Sequence, residues 1–264
     1  GNIDFLSSFK VNNFDTNKYK NFFNNTFYWD IAEKNHNSGL NSKLLANIKN
    51  INYETKNVDI FKDETTSEIY GAIGLLNSIN FQKKNNDNHH LLTPKMLIRY
   101  SPGSMRKEII GSKLNTSTAY ELNRANDINN FENGLSSTIG FDYKIKNNNG
   151  NDFDFSIAQI INEKENKKMA QKSSLDEKLS DLVGRANYYM NEKFNLNYNF
   201  AVDQNYNEMN YSEISVNSKF NPFEINFGYV QEDKHIGNNE YFKTKIDFER
   251  GNNGLISFET KRNL

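Results

Sequence analysis

From residue 193 onward the chain exchanges an apolar side chain for a polar one at almost every step. Phe194, Leu196, Tyr198, Phe200 and Val202 fall on one side of such a ribbon. Asn195, Asn197, Asn199, Ala201 and Asp203 fall on the other. A strand turns successive side chains to opposite faces, so a period of two specifies an extended chain with one dry and one wet surface. The pattern recurs. Phe223, Ile225, Phe227 and Tyr229 oppose Glu224, Asn226, Gly228 and Val230. Phe242, Thr244, Ile246 and Phe248 oppose Tyr241, Lys243, Lys245, Asp247 and Glu249. Leu135, Ile139, Phe141, Tyr143 and Ile145 oppose Ser136, Thr138, Gly140, Asp142 and Lys144.

The same rhythm, with more noise, runs through the first half. It predicts strands over 2–11, 22–32, 40–53, 67–82, 91–101, 134–146, 152–161, 179–190, 193–203, 210–220, 223–232, 239–250 and 253–261. Within 40–53 the apolar phase jumps: Leu44, Ala46 and Ile48 agree, but Ile51 and Tyr53 change faces, which predicts a bulge there. The connections alternate in length. Asn149-Gly150, Asn221-Pro222 and Asn253-Gly254 mark tight turns, and 190–192, 33–39 and 83–90 complete the short set. Between them lie long charged loops, expected at 12–21, 54–66, 102–131, 162–178, 204–209 and 232–238. Aromatics gather beside the short turns: Tyr188, Tyr189 and Phe194; Phe220 and Phe223; Tyr143, Phe153 and Phe155.

One architecture demands all of this. A transmembrane β-barrel has tight turns on one rim, long loops on the other, and aromatic girdles at both interfaces. The expected fold is therefore all-β: part of an antiparallel transmembrane barrel of about thirteen strands, not closed within this stretch. Each strand is near or above the ~9–11 residues a tilted spanning strand needs. The dry face then meets lipid: Phe194, Leu196, Tyr198, Phe200, Ile225, Phe227, Tyr229, Ile246 and Phe248. The wet face lines the lumen: Asn195, Asn197, Asn199, Glu224, Asn226, Lys243, Lys245 and Asp247.

Composition narrows the alternatives. With 32 Lys+Arg against 33 Asp+Glu the net charge is −1, so no basic stripe points to nucleic acid. A mean hydropathy of −0.82 excludes a helical membrane protein, as does the lack of any run of about 20 apolar residues. There is no cysteine, and 20 Phe and 14 Tyr against 3 Pro suit a sheet. Chemistry-bearing motifs are missing. No G-x-S-x-G, Walker loop or H-E-x-x-H occurs, so no catalytic residue and no cofactor is assigned. His89-His90 lies in an expected polar turn without a third ligand, and 147–152 lacks the glutamate of a calcium loop, so no metal is assigned. The acids Glu163, Glu165, Asp176, Glu177 and Asp181 read as a solvated loop.

Two stretches carry a resemblance. One is Leu91-Leu92-Thr93-Pro94-Lys95-Met96-Leu97-Ile98-Arg99-Tyr100-Ser101-Pro102-Gly103-Ser104-Met105-Arg106. The other is Ser173-Ser174-Leu175 with Lys178-Leu179-Ser180-Asp181-Leu182-Val183-Gly184, followed by strands reaching Tyr198-Asn199-Phe200. With Asn123-Arg124-Ala125-Asn126 and Gly134-Leu135-Ser136-Ser137 between them, their order resembles the LPS-assembly outer-membrane protein (LptD) family of AT-rich alphaproteobacteria. The resemblance implies a lipopolysaccharide translocon in the outer membrane of a Gram-negative bacterium, with no bond made or broken. It implies lipopolysaccharide as cargo, a periplasmic bridge protein (LptA-like) as donor and a plug lipoprotein (LptE-like) in the lumen. It also implies outer-membrane lipids around the barrel and the barrel-assembly machinery for insertion. The wet-face residues become candidate headgroup or plug contacts, with Lys243 and Lys245 the candidates for phosphate. The family's periplasmic jellyroll, closing strands and disulfide cysteines are not seen in these residues, so an internal stretch of a single barrel domain spanning 1–264 is expected. The main alternative is another outer-membrane barrel, a porin or nutrient receptor; a soluble β-sandwich or adhesin comes next.

Overall fold

The computed structural model describes residues 1–59, 61–190, 193–233, 237–249 and 254–264. The strands are β1 (Ile3–Asp15), β2 (Lys18–Asn35), β3 (Leu40–Lys56), β4 (Thr65–Ile79), β5 (Phe81–Lys84), β6 (Asn88–Ser101) and β7 (Gly134–Asn147). They continue with β8 (Asn151–Asn162), β9 (Leu182–Met190), β10 (Phe194–Val202), β11 (Met209–Phe220), β12 (Phe223–Glu232), β13 (Asn239–Glu249) and β14 (Leu255–Asn263). All fourteen belong to one antiparallel sheet in chain order, with β5 set beside β6 below β4. The sheet does not close: β1 pairs with β2 and β14 with β13. A single sheet with no second sheet packed on it is not a β-sandwich. Among the described residues the only helix is one 3-10 turn, Thr118–Tyr120, and no helix is long and apolar enough to cross a membrane.

Register gives the sheet two continuous faces, because directly opposed residues share a side. Phe5 sits opposite Phe27, Phe223 opposite Phe248 and Ile225 opposite Ile246 on one of them. Their rings meet at centroid distances of 4.7 Å for Phe5–Phe27 and 5.1 Å for Phe223–Phe248. This face stays bare: Phe9, Phe27, Ile73, Ile98, Ile139 and Phe227 are all exposed. The opposite face is covered by the chain's own loops.

Four expectations are corrected. The long loop expected at 12–21 is a tight hairpin: β1 and β2 run on to Asp15 and Lys18. Asn12, Asn13, Lys18 and Lys20 looked like loop residues because this hairpin end is mostly polar, and polarity does not prevent pairing. The bulge expected in 40–53 is not in β3. That strand pairs β4 without a shift from Leu40 to Glu54, and the irregularity lies in β2 between Asp30 and Ala32. Ile51 and Tyr53 keep the strand's phase and are apolar because they pack with Phe22 on the covered face. The strand expected over 67–82 breaks at Asn80, beside Thr93 and Pro94 of β6. Thr93 Oγ1 donates to Asn80 Oδ1 at 2.8 Å, and a proline has no N–H to give a neighbouring strand. His89 and His90 lie in β6 rather than in a turn, and His90 Nδ1 is 2.9 Å from the Tyr143 hydroxyl. At the turns, Gly150 takes φ 77° after Asn149, whereas Asn253 of the expected Asn253-Gly254 turn lies outside the described residues.

Candidate functional site: the loop-covered face

Two long loops fold back onto one face of the sheet instead of standing in solvent. The first spans 102–133. It leaves β6 through Gly103 (φ 86°) and enters β7 through Gly134 (φ 110°), both in the left-handed region that glycine adopts without strain. Its apolar residues Met105, Leu114, Ala119, Leu122 and Phe131 are buried. The second spans 163–181 and buries Met169, Ala170 and Leu175. Both pack on small and apolar residues of the wall: Ala158, Ile160, Val183, Ala201, Tyr211 and Val230 join Met105, Leu114 and Leu175 in one cluster. Leu122 and Phe131 form another with Ala72 and Leu97. Fully burying a side chain of this size stabilises by about 1.5–3 kcal/mol relative to exposure. The acids of the second loop are therefore not all solvated: Asp181 is buried, and burial pushes the Asp176 carboxyl up.

Charge fixes the first loop to the wall. Arg99 of β6 donates from Nε to the Leu122 carbonyl at 2.6 Å and also donates to the Glu132 carbonyl. Arg124 grips the Glu132 carboxylate with two nitrogens, Nε at 2.7 Å, and reaches Ser136 Oγ at 3.0 Å. Arg99 is also within 3.8 Å of that carboxylate. Burial raises the Glu132 pKa, but Arg124 and Arg99 outweigh it and hold the carboxyl below its usual value. Further along, Arg106 pairs with Glu68 and lies 4.8 Å from the Phe61 ring centre and 5.1 Å from that of Tyr53. The first loop's short helical turn is tied down by Thr138 Oγ1, which donates to the Ala119 carbonyl at 2.7 Å.

The wet residues named from sequence lie on this same face. Asn195, Asn197 and Asn199 follow Ala201 at steps of two along β10. Across the ladder Asn199 meets Glu213, Asn195 meets Asn217, Glu224 meets Asp247 and Asn226 meets Lys245. Lys243 lies opposite Gly228. The charges are paired: Lys245 with Asp247 at 2.7 Å, Lys243 with Glu259 at 3.1 Å and Lys219 with Glu224 at 3.2 Å. Phe194, Leu196, Tyr198, Phe200, Ile225, Phe227, Tyr229, Ile246 and Phe248 lie on the bare face, with Phe227 opposite Thr244 and Tyr229 opposite Phe242. Among the described residues no cluster of three or more His, Asp or Glu side chains is placed to hold a metal.

Sequence reading missed the residues that hold the loops: Arg99, Arg106, Arg124, Glu132 and Thr138. Two signals stood in the chain. A loop of some thirty residues without secondary structure is unusual and tends to be functional. Its apolar residues, from Met105 to Phe131, also have no place in a solvated loop.

A sheet that exposes one apolar face, carries polar residues and its own loops on the other, and alternates short and long connections from 33 onward is the wall of an outer-membrane β-barrel. The family model for LPS transport system D (LptD) matches residues 35–252, most of the chain. The chain belongs to that family, whose work is lipopolysaccharide transport at the outer membrane. No curated protein matches it.

Proposed function

We propose that this chain is barrel wall of the lipopolysaccharide translocon, taking lipopolysaccharide from the periplasmic bridge and releasing it into the outer leaflet. The observation that carries the reading is the family match over 35–252, borne on a sheet with one bare apolar face. The covered face lines the lumen, and the bare face meets lipid. Residues 1–264 belong to one barrel domain. A plug lipoprotein docks on the covered face, the bridge protein delivers at the short-turn rim, and the barrel-assembly machinery inserts the whole. No bond is made or broken.

Depletion of the full-length protein tests this. Newly made lipopolysaccharide then fails to reach the cell surface and accumulates behind the outer membrane. Unchanged surface lipopolysaccharide, together with ion conductance by the purified protein in a planar bilayer, assigns it instead to the porins or nutrient receptors.

A further inference from the structure

The covered face contains a trough of about 410 Å³ whose lining comes from β9–β12 and the turn residue Lys193, with no residue of the two long loops. Register aligns its amides. Asn195 of β10 stands opposite Asn217 of β11, and Asn217 stands opposite Asn226 of β12. Tyr189 of β9 flanks Asn195 on the other side. Adjacent strands are about 4.8 Å apart, so three carboxamides recur at about that interval along one line. Asn197 stands two residues further along β10, on the same face.

Much of this hydrogen-bonding capacity is unused. Asn195 Oδ1 is buried without a partner. Asn197 and Asn226 make no side-chain hydrogen bond among the described residues, while Asn217 donates to Glu224 at 2.8 Å. The neighbouring cations are not free: Lys219 and Lys245 hold Glu224 and Asp247 at 3.2 and 2.7 Å. An incoming phosphate meets lysine charge already balanced by a carboxylate, and the negative charge of that carboxylate beside it. A neutral hydroxyl faces no such cost. It both donates and accepts, as a carboxamide does with its two N–H donors and its carbonyl. Tyr189 adds an aromatic wall against which the C–H face of a sugar ring packs.

We infer that the asparagine row is a binding site for neutral saccharide rather than for phosphate. This rests on the assignment of the covered face to the lumen and deepens it. The trough engages uncharged sugars of the cargo, and Lys243 and Lys245 serve to balance carboxylates instead of gripping phosphates.

The test titrates the detergent-solubilised full-length protein with maltopentaose, a neutral oligosaccharide, followed by saturation-transfer NMR, and then adds inorganic pyrophosphate as a competitor, read through the maltopentaose signal. Maltopentaose binds, and raising salt from about 0.1 to 0.5 M leaves its affinity unchanged, because no screened charge is involved. Asn197→Leu with Asn226→Leu weakens it about tenfold, as expected for the loss of two neutral hydrogen-bonding groups. Far-UV circular dichroism reports whether the variant keeps its sheet. The wild-type comparison stands without the variant: pyrophosphate binding that displaces maltopentaose overturns the inference. So does absence of saccharide binding, or saccharide binding untouched in a folded double variant. Surface lipopolysaccharide after depletion reports on the translocon reading alone, so each idea fails by its own result.

Discussion

Removing the Glu132 side chain should unseat the first long loop. The Arg99 and Arg124 side chains are each 1 % exposed, and that of Glu132 is 4 % exposed. In Glu132→Ala, Arg99 keeps its backbone acceptors, the carbonyls of Leu122, Glu132 and Gly134. Arg124 keeps only Ser136. Two guanidinium charges are then buried without a counter-charge, and breaking a buried pair in this way costs about 3–5 kcal/mol. Lifting the loop returns both cations to water, so the cost falls on the docked state. The open population rises by a factor of roughly 10² to 4 × 10³. Ala119 belongs to the loop and is fully buried where its short helical turn docks on the wall, and the chain has no cysteine, so Ala119→Cys supplies a single thiol reporter. Its maleimide labelling rate follows the open population when loop motion is fast relative to labelling. Glu132→Ala should accelerate labelling by that factor. Glu165→Ala, which removes an exposed partner 3.9 Å from Lys167, should leave it unchanged. Equal rates in the Glu132→Ala variant and its parent would refute the latch.

The two faces make a paired test: Phe227→Arg should cost about 2–4 kcal/mol near the bilayer midplane, and Asn226→Arg next to it almost nothing, by equilibrium unfolding from lipid vesicles. Equal costs would remove the lipid and lumen assignments. Acid should release the loop in a defined direction. The folded Glu132 carboxyl is held below its usual value by Arg124 and Arg99, so its contribution is complete above about pH 4.5 and lost as pH falls through the lower folded value. Glu108 acts oppositely, because burial raises its carboxyl and acid relieves that burial. Labelling of the Ala119→Cys reporter, taken relative to a free thiol at the same pH because the thiolate is the reacting form, should therefore stay slow through mild acid and rise only below about pH 4.5; a relative rise starting near neutrality contradicts the latch. On the bare face, a Cβ added at Gly184 would overlap the Phe200 ring of the opposed strand. Gly184→Ala should destabilise by about 1–3 kcal/mol, with Phe200→Ala in the same chain removing most of that penalty. Additive losses in the double variant would show that the ring is free to move aside.

What the sequence revealed and what it hid have one physical cause. Alternation reports a strand whose two sides meet different solvents. From 193 to 232 one side is bare and apolar and the other is largely polar, and β10, β11 and β12 are legible almost to the residue. Alternation fails where both sides carry the same chemistry. At the β1–β2 hairpin polar residues outnumber apolar ones on both sides, so Asn12 to Lys20 looked like a loop although Asn12, Asn13 and Asp15 pair with Lys20, Tyr19 and Lys18. In β3 the covered side is apolar as well, because Phe22, Ile51 and Tyr53 pack there, and the ribbon seemed to slip a register it keeps.

The same cause explains why the latch went unread. Arg99, Arg106 and Arg124 sit in the two upstream stretches that carry the family likeness, yet they looked structural because no reaction needed them. Each contacts the first long loop or belongs to it: Arg99 through the Leu122 carbonyl, Arg106 through the Asn129 carbonyl at 2.8 Å, Arg124 through Glu132. The downstream stretch does the equivalent for the second loop, where Ser180 Oγ accepts from the Ile160 N–H at 2.9 Å and Leu175 fills the shared cluster. Wall strands alone need only the right face chemistry, which many residues supply. Seating two long loops against that wall needs particular donors at particular carbonyls. The residues that distinguish this wall from an ordinary alternating sheet are therefore the ones that decide what covers one of its faces.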